Sequence, residues 1–183
     1  MELLVNPNCQ ECELAEFRTQ VVQGEGPIPS NIMLLLEAPG KEEDEKGRPA
    51  IGKAGQKLDG ILESVGIDRK ETWVDNCLHC RPPDNDIRRF PNAQVVCPKL
   101  YLQKTIDIIK PKVIMAMGAT AASRWFPGRE AREIAELQRE LVNGITVVGS
   151  FHPSYALRMG EEIEESIRRS LMRAKDICSW DEA

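Results

Sequence analysis

The stretch Asn31-Ile32-Met33-Leu34-Leu35-Leu36-Glu37 decides the fold. Its five consecutive apolar residues are too few for an ordinary helix and do not alternate with polar ones. They read as a strand buried on both faces, the kind found in a parallel sheet covered by helices. Residues 72–77, 113–117 and 145–151 read as three further strands. Between them lie helical stripes: Leu58, Ile61, Leu62 and Val65; Val96, Leu100, Ile106 and Ile109; Ile134, Leu137 and Leu141; Ile163, Ile167, Leu171 and Ala174. Alternating strands and helices predict an α/β fold, a three-layer αβα sandwich around a four-stranded parallel sheet. Such sheets bind ligands at the C-terminal ends of their strands, and Glu37, Asn76, Gly118 and His152 all stand at or just after predicted strand ends. They point to one shared pocket.

At 183 residues with 42% hydrophobic content, the chain suffices for one domain over 1–183 with a substantial core. The longest apolar runs are far shorter than the roughly 20 residues that span a bilayer. Met1-Glu2 offers no basic leader, so a cytoplasmic protein is expected, without a membrane partner. A net charge of -5 argues against nonspecific coating of nucleic acid. Local clusters remain: Arg81, Arg88 and Arg89 within nine residues, and Arg48, Lys53 and Lys57 after an acidic stretch. Such patches suit a grip on a few phosphates; the bland alternative is a set of solvated surface charges.

Six cysteines in a reducing compartment favour metal or redox chemistry over disulfides. Cys9 and Cys12 form a Cys-x-x-Cys pair at the start; Cys80 and Cys97 flank a loop rich in Pro and Arg. Cys77-x-x-Cys80 offers a second pair, but 64 residues separate Cys12 from Cys77, where a zinc ribbon has about 15 to 20. Spacing alone does not choose between Cys77 and Cys80, nor between zinc and iron-sulfur. Cys178 has no partner in sequence.

Gly47-Arg48-Pro49-Ala50-Ile51-Gly52-Lys53 nearly spells a phosphate-cradling nucleotide loop, but Ala54 stands where a Ser or Thr must hold magnesium and no hydrophobic strand precedes it. Its glycines read instead as sites of close backbone approach, with a helix starting at Gly55. Among the carboxylates, two or three of Glu42, Glu43, Asp44 and Glu45 read as a solvated loop. Glu37 is different: a charge at the end of a buried strand needs a function or a hydrogen-bonded reason to be there. His152 is one of two histidines, and a lone His is more often a structural hydrogen-bonder than a catalyst; for Asn76 the alternative by residue type is a turn former.

Cys9 and Cys12, Glu37-Ala38-Pro39-Gly40, Gly47-Arg48-Pro49, Cys80 and Cys97, and Phe151-His152-Pro153-Ser154-Tyr155 together resemble the iron-sulfur uracil-DNA glycosylases, the family 4 type of bacteria and archaea, from about Cys9 to Arg158. The resemblance implies a uracil-DNA glycosylase-like fold and a DNA repair enzyme that flips uracil from DNA and hydrolyses its N-glycosidic bond. It implies a 4Fe-4S cluster on Cys9, Cys12, Cys80 and Cys97, structural rather than catalytic. Asn76 then matches the base-reading Asn, whose amide pairs with O4 and N3-H of uracil. His152 stabilises the departing base at O2. Ser154, Tyr155, Leu157 and Arg158 match a loop entering the minor groove, with Leu157 the candidate wedge and Tyr155 the alternative. Arg81, Arg88 and Arg89 are expected to touch phosphates. Gly40 and Ala38 belong to the substrate-binding turn.

Three departures stand out. Leu36 replaces the family's leading Gly. Ala38 occupies the place of a water-positioning Asp in better-known uracil glycosylases, so water activation rests on Glu37 or Glu43. Ala50 replaces an aromatic that stacks on the flipped base, an interaction worth about 1 to 3 kcal/mol. The expected partner is DNA containing uracil or another deaminated base, met by a monomer. A second reading is an iron-sulfur DNA-binding homologue with lost or altered base excision; a third is a zinc-stapled interaction domain.

Overall fold

The computed structural model describes residues 4–135 and 137–180; the Met1-Glu2 start lies outside them. Five strands, β1 (Ile32–Leu36), β2 (Thr72–Asn76), β3 (Val113–Met117), β4 (Gln138–Glu140) and β5 (Thr146–Ser150), form one sheet in the order β2-β1-β3-β5-β4. Around it lie α1 (Lys41–Lys46), α2 (Lys53–Ser64), α3 (Pro91–Ile109), α4 (Ala119–Ala122), α5 (Ala131–Ile134), α6 (Pro153–Met159) and α7 (Glu161–Trp180).

The four expected strands are all present and pair in parallel, β1 with both β2 and β3, and β3 with β5. Every residue of these four strands is buried, which explains the unbroken apolar runs of β1 and β3; β2 and β5 also bury polar residues, among them Asp75, Asn76 and Ser150. Pleating sends alternate side chains to opposite faces. Met33, Leu35, Trp73, Ile114, Ala116 and Val147 join α3, α4 and the N-terminal arm in one core; Leu34, Leu36, Val74, Met115, Met117 and Val148 join α2, α6 and α7 in the other. Met33, Leu34 and Leu35 are wholly inaccessible to solvent, and burial on this scale contributes about 1.5–3 kcal/mol for each such side chain. Three layers result.

The sheet is mixed rather than purely parallel, because β4 pairs antiparallel with β5. This corrects the expected four-stranded parallel sheet and the helical stripe through Ile134, Leu137 and Leu141. Only one helical turn forms there, α5, after which Leu141 N–H donates to the Ile145 carbonyl at 2.8 Å and closes a hairpin at Asn143-Gly144. A second correction concerns the acidic stretch, which forms α1 rather than a loop. Glu43 and Asp44 are buried, and the Asp44 carboxylate accepts the Thr19 N–H at 2.9 and 3.1 Å, tying the N-terminal arm to the sheet's C-terminal edge. Helix α2 begins at Lys53, two residues earlier than expected. Gly55 lies in its first turn because a Cβ there would meet the Ala50 carbonyl oxygen at 1.9 Å.

Candidate active site and cysteine centre

A cavity of about 310 Å³ opens at the C-terminal ends of β1 and β2. Glu37, Ala38, Gly40, Glu43, Ala50, Asn76, His152 and Ser154 all line it, so residues from the first strand to the start of α6 meet in one place. Its size falls at the lower end of ligand pockets.

Asn76 ends β2 and is almost fully buried. Its backbone N–H is held by the Asp75 carboxylate at 2.8 Å, a group itself fixed by the Trp73 indole N–H at 3.2 Å. Among the described residues, no hydrogen-bond partner meets the Asn76 side-chain amide, although it is aligned by the strand and faces the cavity. Such an amide is poised for an external donor and acceptor pair. Asp75 is buried, and desolvation raises its pKa against the opposing pull of His79.

Glu37 follows β1 and accepts the Thr120 hydroxyl at 2.7 Å on Oε2. Thr120 belongs to α4, so the carboxylate is oriented from across the sheet while still lining the cavity. Ala38 adds only a methyl group. Glu43 has a different environment: Oε1 accepts the N–H groups of Ile51 at 2.9 Å and Gly52 at 2.7 Å, and Oε2 accepts that of Gly40 at 3.1 Å. Three backbone donors occupy most of its acceptor capacity, so Glu43 braces the cavity wall more than it faces a ligand.

His152 follows β5 and caps α6. Its Nδ1 accepts the Ser154 N–H at 3.1 Å and the Ser154 hydroxyl at 2.8 Å, which leaves the ring proton on Nε2. Burial, reinforced by the Arg158 guanidinium and opposed by Glu43, lowers its pKa to about 4. The imidazole is therefore a neutral donor at physiological pH. Gly118, with φ at +92°, lies under this ring; a Cβ there would stand 3.0 Å from that of His152.

Ala50 lies in the left-handed region, φ +49°, and its methyl leaves one side of the cavity without an aromatic face. Beyond the cavity, α6 exposes Leu157, 47% accessible, on the outer surface. Tyr155 is packed instead: its ring lies 5.4 Å from that of Phe151 and carries the Arg158 guanidinium at 5.6 Å. Of the two wedge candidates, only Leu157 projects freely.

Arg81, Arg88 and Arg89 share one loop but stand outside the cavity lining, and each has a partner there. Arg81 donates to Asn85 at 2.9 Å, Arg88 donates twice to Asp86 at 2.8 and 2.9 Å, and Arg89 reaches Asp84 at 3.4 Å. The Arg88 guanidinium holds the Asp86 carboxyl down at about 2. Of the second basic group, Arg48 pairs with Glu25 and Lys57 with Glu164, while Lys53 lines the cavity.

Cys9, Cys12, Cys80 and Cys97 line a second, smaller cavity with His79 and Tyr101. Cys9 and Cys12 come from the N-terminal arm, Cys80 follows β2 and Cys97 projects from α3, so the cavity joins three parts of the chain. Among the described residues no three His, Cys, Asp or Glu side chains form a compact single-ion shell. Burial pushes the Cys80 thiol up to about 11 and that of Cys97 higher still, with the other cysteines adding to the rise. Four thiols crowded in a low-dielectric space suit a cationic metal centre, whose charge favours the thiolate form. Arg18 bridges the two sides: it donates to the Cys9 carbonyl at 2.7 Å and to Cys80 Sγ at 3.7 Å. Cys77 and Cys178 lie elsewhere. The former is buried beside Arg124, its thiol pushed up to about 12 by burial; the latter donates to the Asn31 carbonyl at 3.8 Å.

A doubly covered sheet with one cavity at its strand ends and a second lined by four cysteines defines the chain as an α/β protein. The chain belongs to the Uracil DNA glycosylase superfamily, whose family model matches residues 23–174. It is 37% identical over 170 residues to the type-4 uracil-DNA glycosylase of Thermotoga maritima, covering 91% of this chain and 88% of that protein. Identity to the type-4 uracil-DNA glycosylase of Pyrobaculum aerophilum is 36% over 160 residues, 82% of this chain and 80% of that one. With the Sulfurisphaera tokodaii enzyme of the same name it is 33% over 159 residues, 82% and 71%.

Proposed function

We propose that this chain is a DNA repair glycosylase that flips uracil out of DNA and hydrolyses its N-glycosidic bond, leaving an abasic site. The observation that carries this reading is the meeting of an unpartnered Asn76 amide, a neutral His152 and the Glu37 carboxylate in one cavity, in a chain similar over most of its length to type-4 uracil-DNA glycosylases.

The Asn76 amide donates to O4 and accepts from N3–H of uracil, a pattern that cytosine reverses. As the glycosidic bond breaks, negative charge gathers on the base, and the His152 Nε2–H donates to O2. This bond strengthens in the transition state, which is the condition for a catalytic gain. Glu37, its other oxygen occupied by Thr120, holds the attacking water and offsets positive charge on the sugar. Glu43 keeps the cavity wall in place. Leu157 fills the space that the flipped nucleotide leaves, and Ser154, Arg158 and the loop of Arg81, Arg88 and Arg89 follow the backbone.

Cys9, Cys12, Cys80 and Cys97 would hold a 4Fe-4S cluster, which when bound pins the N-terminal arm to the loop after β2. In this reading the chain acts inside the cell as a single-domain monomer on DNA containing uracil or another deaminated base. The test is a glycosylase assay on single- and double-stranded uracil DNA, with alkaline cleavage revealing abasic sites. Strand breaks that depend on both uracil and protein support the reading; uracil DNA left intact by a cluster-loaded preparation refutes it.

A further inference from the structure

The loop 48–52 separates two clefts. Ala50 lines the active-site cavity, while Arg48 and Arg69 line a second, more open cleft of about 490 Å³ behind it. Arg69 reaches forward from that second cleft. One of its terminal nitrogens donates to the Ala50 carbonyl at 2.7 Å and the other to the Pro49 carbonyl at 2.7 Å. The next N–H groups, those of Ile51 and Gly52, are the ones that Glu43 accepts from the cavity side. The peptide unit between Ala50 and Ile51 is therefore held at both ends, its oxygen by Arg69 and its hydrogen by Glu43. Ala50 has φ +49°, a conformation an L residue keeps only when its surroundings impose it.

The anchor itself is fixed. Arg69 is 19% exposed at its side chain and pairs with Asp59 at 2.8 Å and Glu25 at 3.5 Å. Glu25 is in turn bound to the edge of β2, through N–H to carbonyl bonds in both directions with Val74 at 2.9 and 2.8 Å. The outer wall of the pocket is thus registered to the strand that ends in Asn76. A lysine retains the charge of arginine but lacks the planar fork that meets two carbonyls at once.

We propose that Arg69 is a positioning residue for base recognition. By holding the Ala50–Ile51 peptide against Glu43, it sets the gap between residue 50 and Asn76 and so the fit of the extruded base. This rests on the glycosylase reading, and its effect falls on base binding rather than on the grip of the DNA backbone. The decisive experiment compares wild type, Arg69→Gln and Arg69→Lys in three measurements. Arg69→Gln should raise KM on uracil DNA and weaken inhibition by free uracil by about tenfold each, the scale of losing a charge-assisted pair, while kcat changes much less. Affinity for duplex with an abasic analogue, which presents no base, should stay within about twofold. Arg69→Lys should restore only part of the loss. Hydrogen exchange at the Ile51 and Gly52 amides should accelerate in both variants. Asp59→Asn, which removes one of the ion pairs that fix Arg69 but neither carbonyl bond, should give a smaller loss of the same kind than Arg69→Gln. Equal losses in uracil inhibition and abasic-duplex binding, or unaltered exchange at Ile51 and Gly52, would overturn the proposal. If wild type excises nothing, the glycosylase reading falls, and with it the role in base recognition, while the exchange measurement still decides whether Arg69 clamps the loop.

Discussion

Ser154 donates twice to Nδ1 of His152, from its backbone N–H at 3.1 Å and its hydroxyl at 2.8 Å. One residue thereby sets the ring's tautomer, and burial keeps the ring neutral. His152→Ala should lower the single-turnover rate by at least about tenfold with little change in DNA affinity, because the proposed bond forms as charge develops. An unchanged rate would remove His152 from the mechanism.

The same lowered pKa makes a statement about stability. In the unfolded chain His152 takes a proton near pH 6.5, while in the folded chain it does so only near 4. Above the first value both states are neutral and the group has no effect on the balance. As pH falls between the two, the unfolded state binds the proton first and stability declines. Thermal unfolding from about pH 7 to 4 should therefore show a steeper loss in wild type than in His152→Ala; parallel curves would show that the ring protonates as readily folded as unfolded.

Serine at Cys9, Cys12, Cys80 or Cys97 should bleach the broad visible absorbance of an anaerobic preparation and lower its melting temperature, because all four thiols line one cavity. Cys77→Ser and Cys178→Ser should retain the colour, since those thiols face Arg124 and the Asn31 carbonyl instead. Colour lost in Cys77→Ser but kept in Cys80→Ser would reverse the assignment, and a colourless wild type containing zinc would favour a zinc-stapled interaction domain.

Much of this was legible because burial leaves a mark on sequence. The run Ile32–Leu36 is apolar at every position because helices cover both faces, and the polar residues at the C-terminal ends of β1 and β2, Glu37 and Asn76, line the cavity. Strand β4 left no such mark: Gln138, Arg139 and Glu140 are all exposed, and only the turn pair Asn143-Gly144 hinted at a hairpin. Local sequence also could not separate four adjacent acids. Glu43 and Asp44 are buried because the loop amides and the N-terminal arm come to them from elsewhere in the chain. Arg69 was invisible because it binds carbonyl oxygens, which every residue carries. The acidic partners of the arginine loop, Asp84 and Asp86, stood in plain view in the sequence, and their effect on the basic cluster was a matter of geometry.

Those partners sharpen the prediction for Arg81, Arg88 and Arg89. Neutralising all three should weaken binding to every sequence alike and flatten the salt dependence by about 0.9 in log–log slope for each phosphate that is no longer neutralised. Removing the competitors should do the reverse: Asp84→Asn with Asp86→Asn frees Arg89 and Arg88 and should tighten binding at low salt. A slope unaltered in both sets would show that this loop points away from the DNA.

Ala50→Phe asks whether the missing aromatic disabled an ordinary uracil pocket or shaped a different one. Residue 50 lines the cavity, and its backbone is held from both sides, so a larger side chain must project from a fixed origin. If the pocket is otherwise complete, the ring should stack on the flipped base and raise activity on uracil by about tenfold, the effect of roughly 1 to 3 kcal/mol, with the greatest gain in well-paired duplex where extrusion costs most. If the open side beside Ala50 receives a larger base, the ring should clash and lower activity on that substrate. Uracil, hypoxanthine and xanthine duplexes assayed with both variants separate these outcomes. A gain confined to uracil identifies a weakened uracil pocket, and a loss confined to a purine identifies a widened one. Inactivity of both variants on every base would sink the glycosylase reading and favour a DNA-binding homologue that no longer excises.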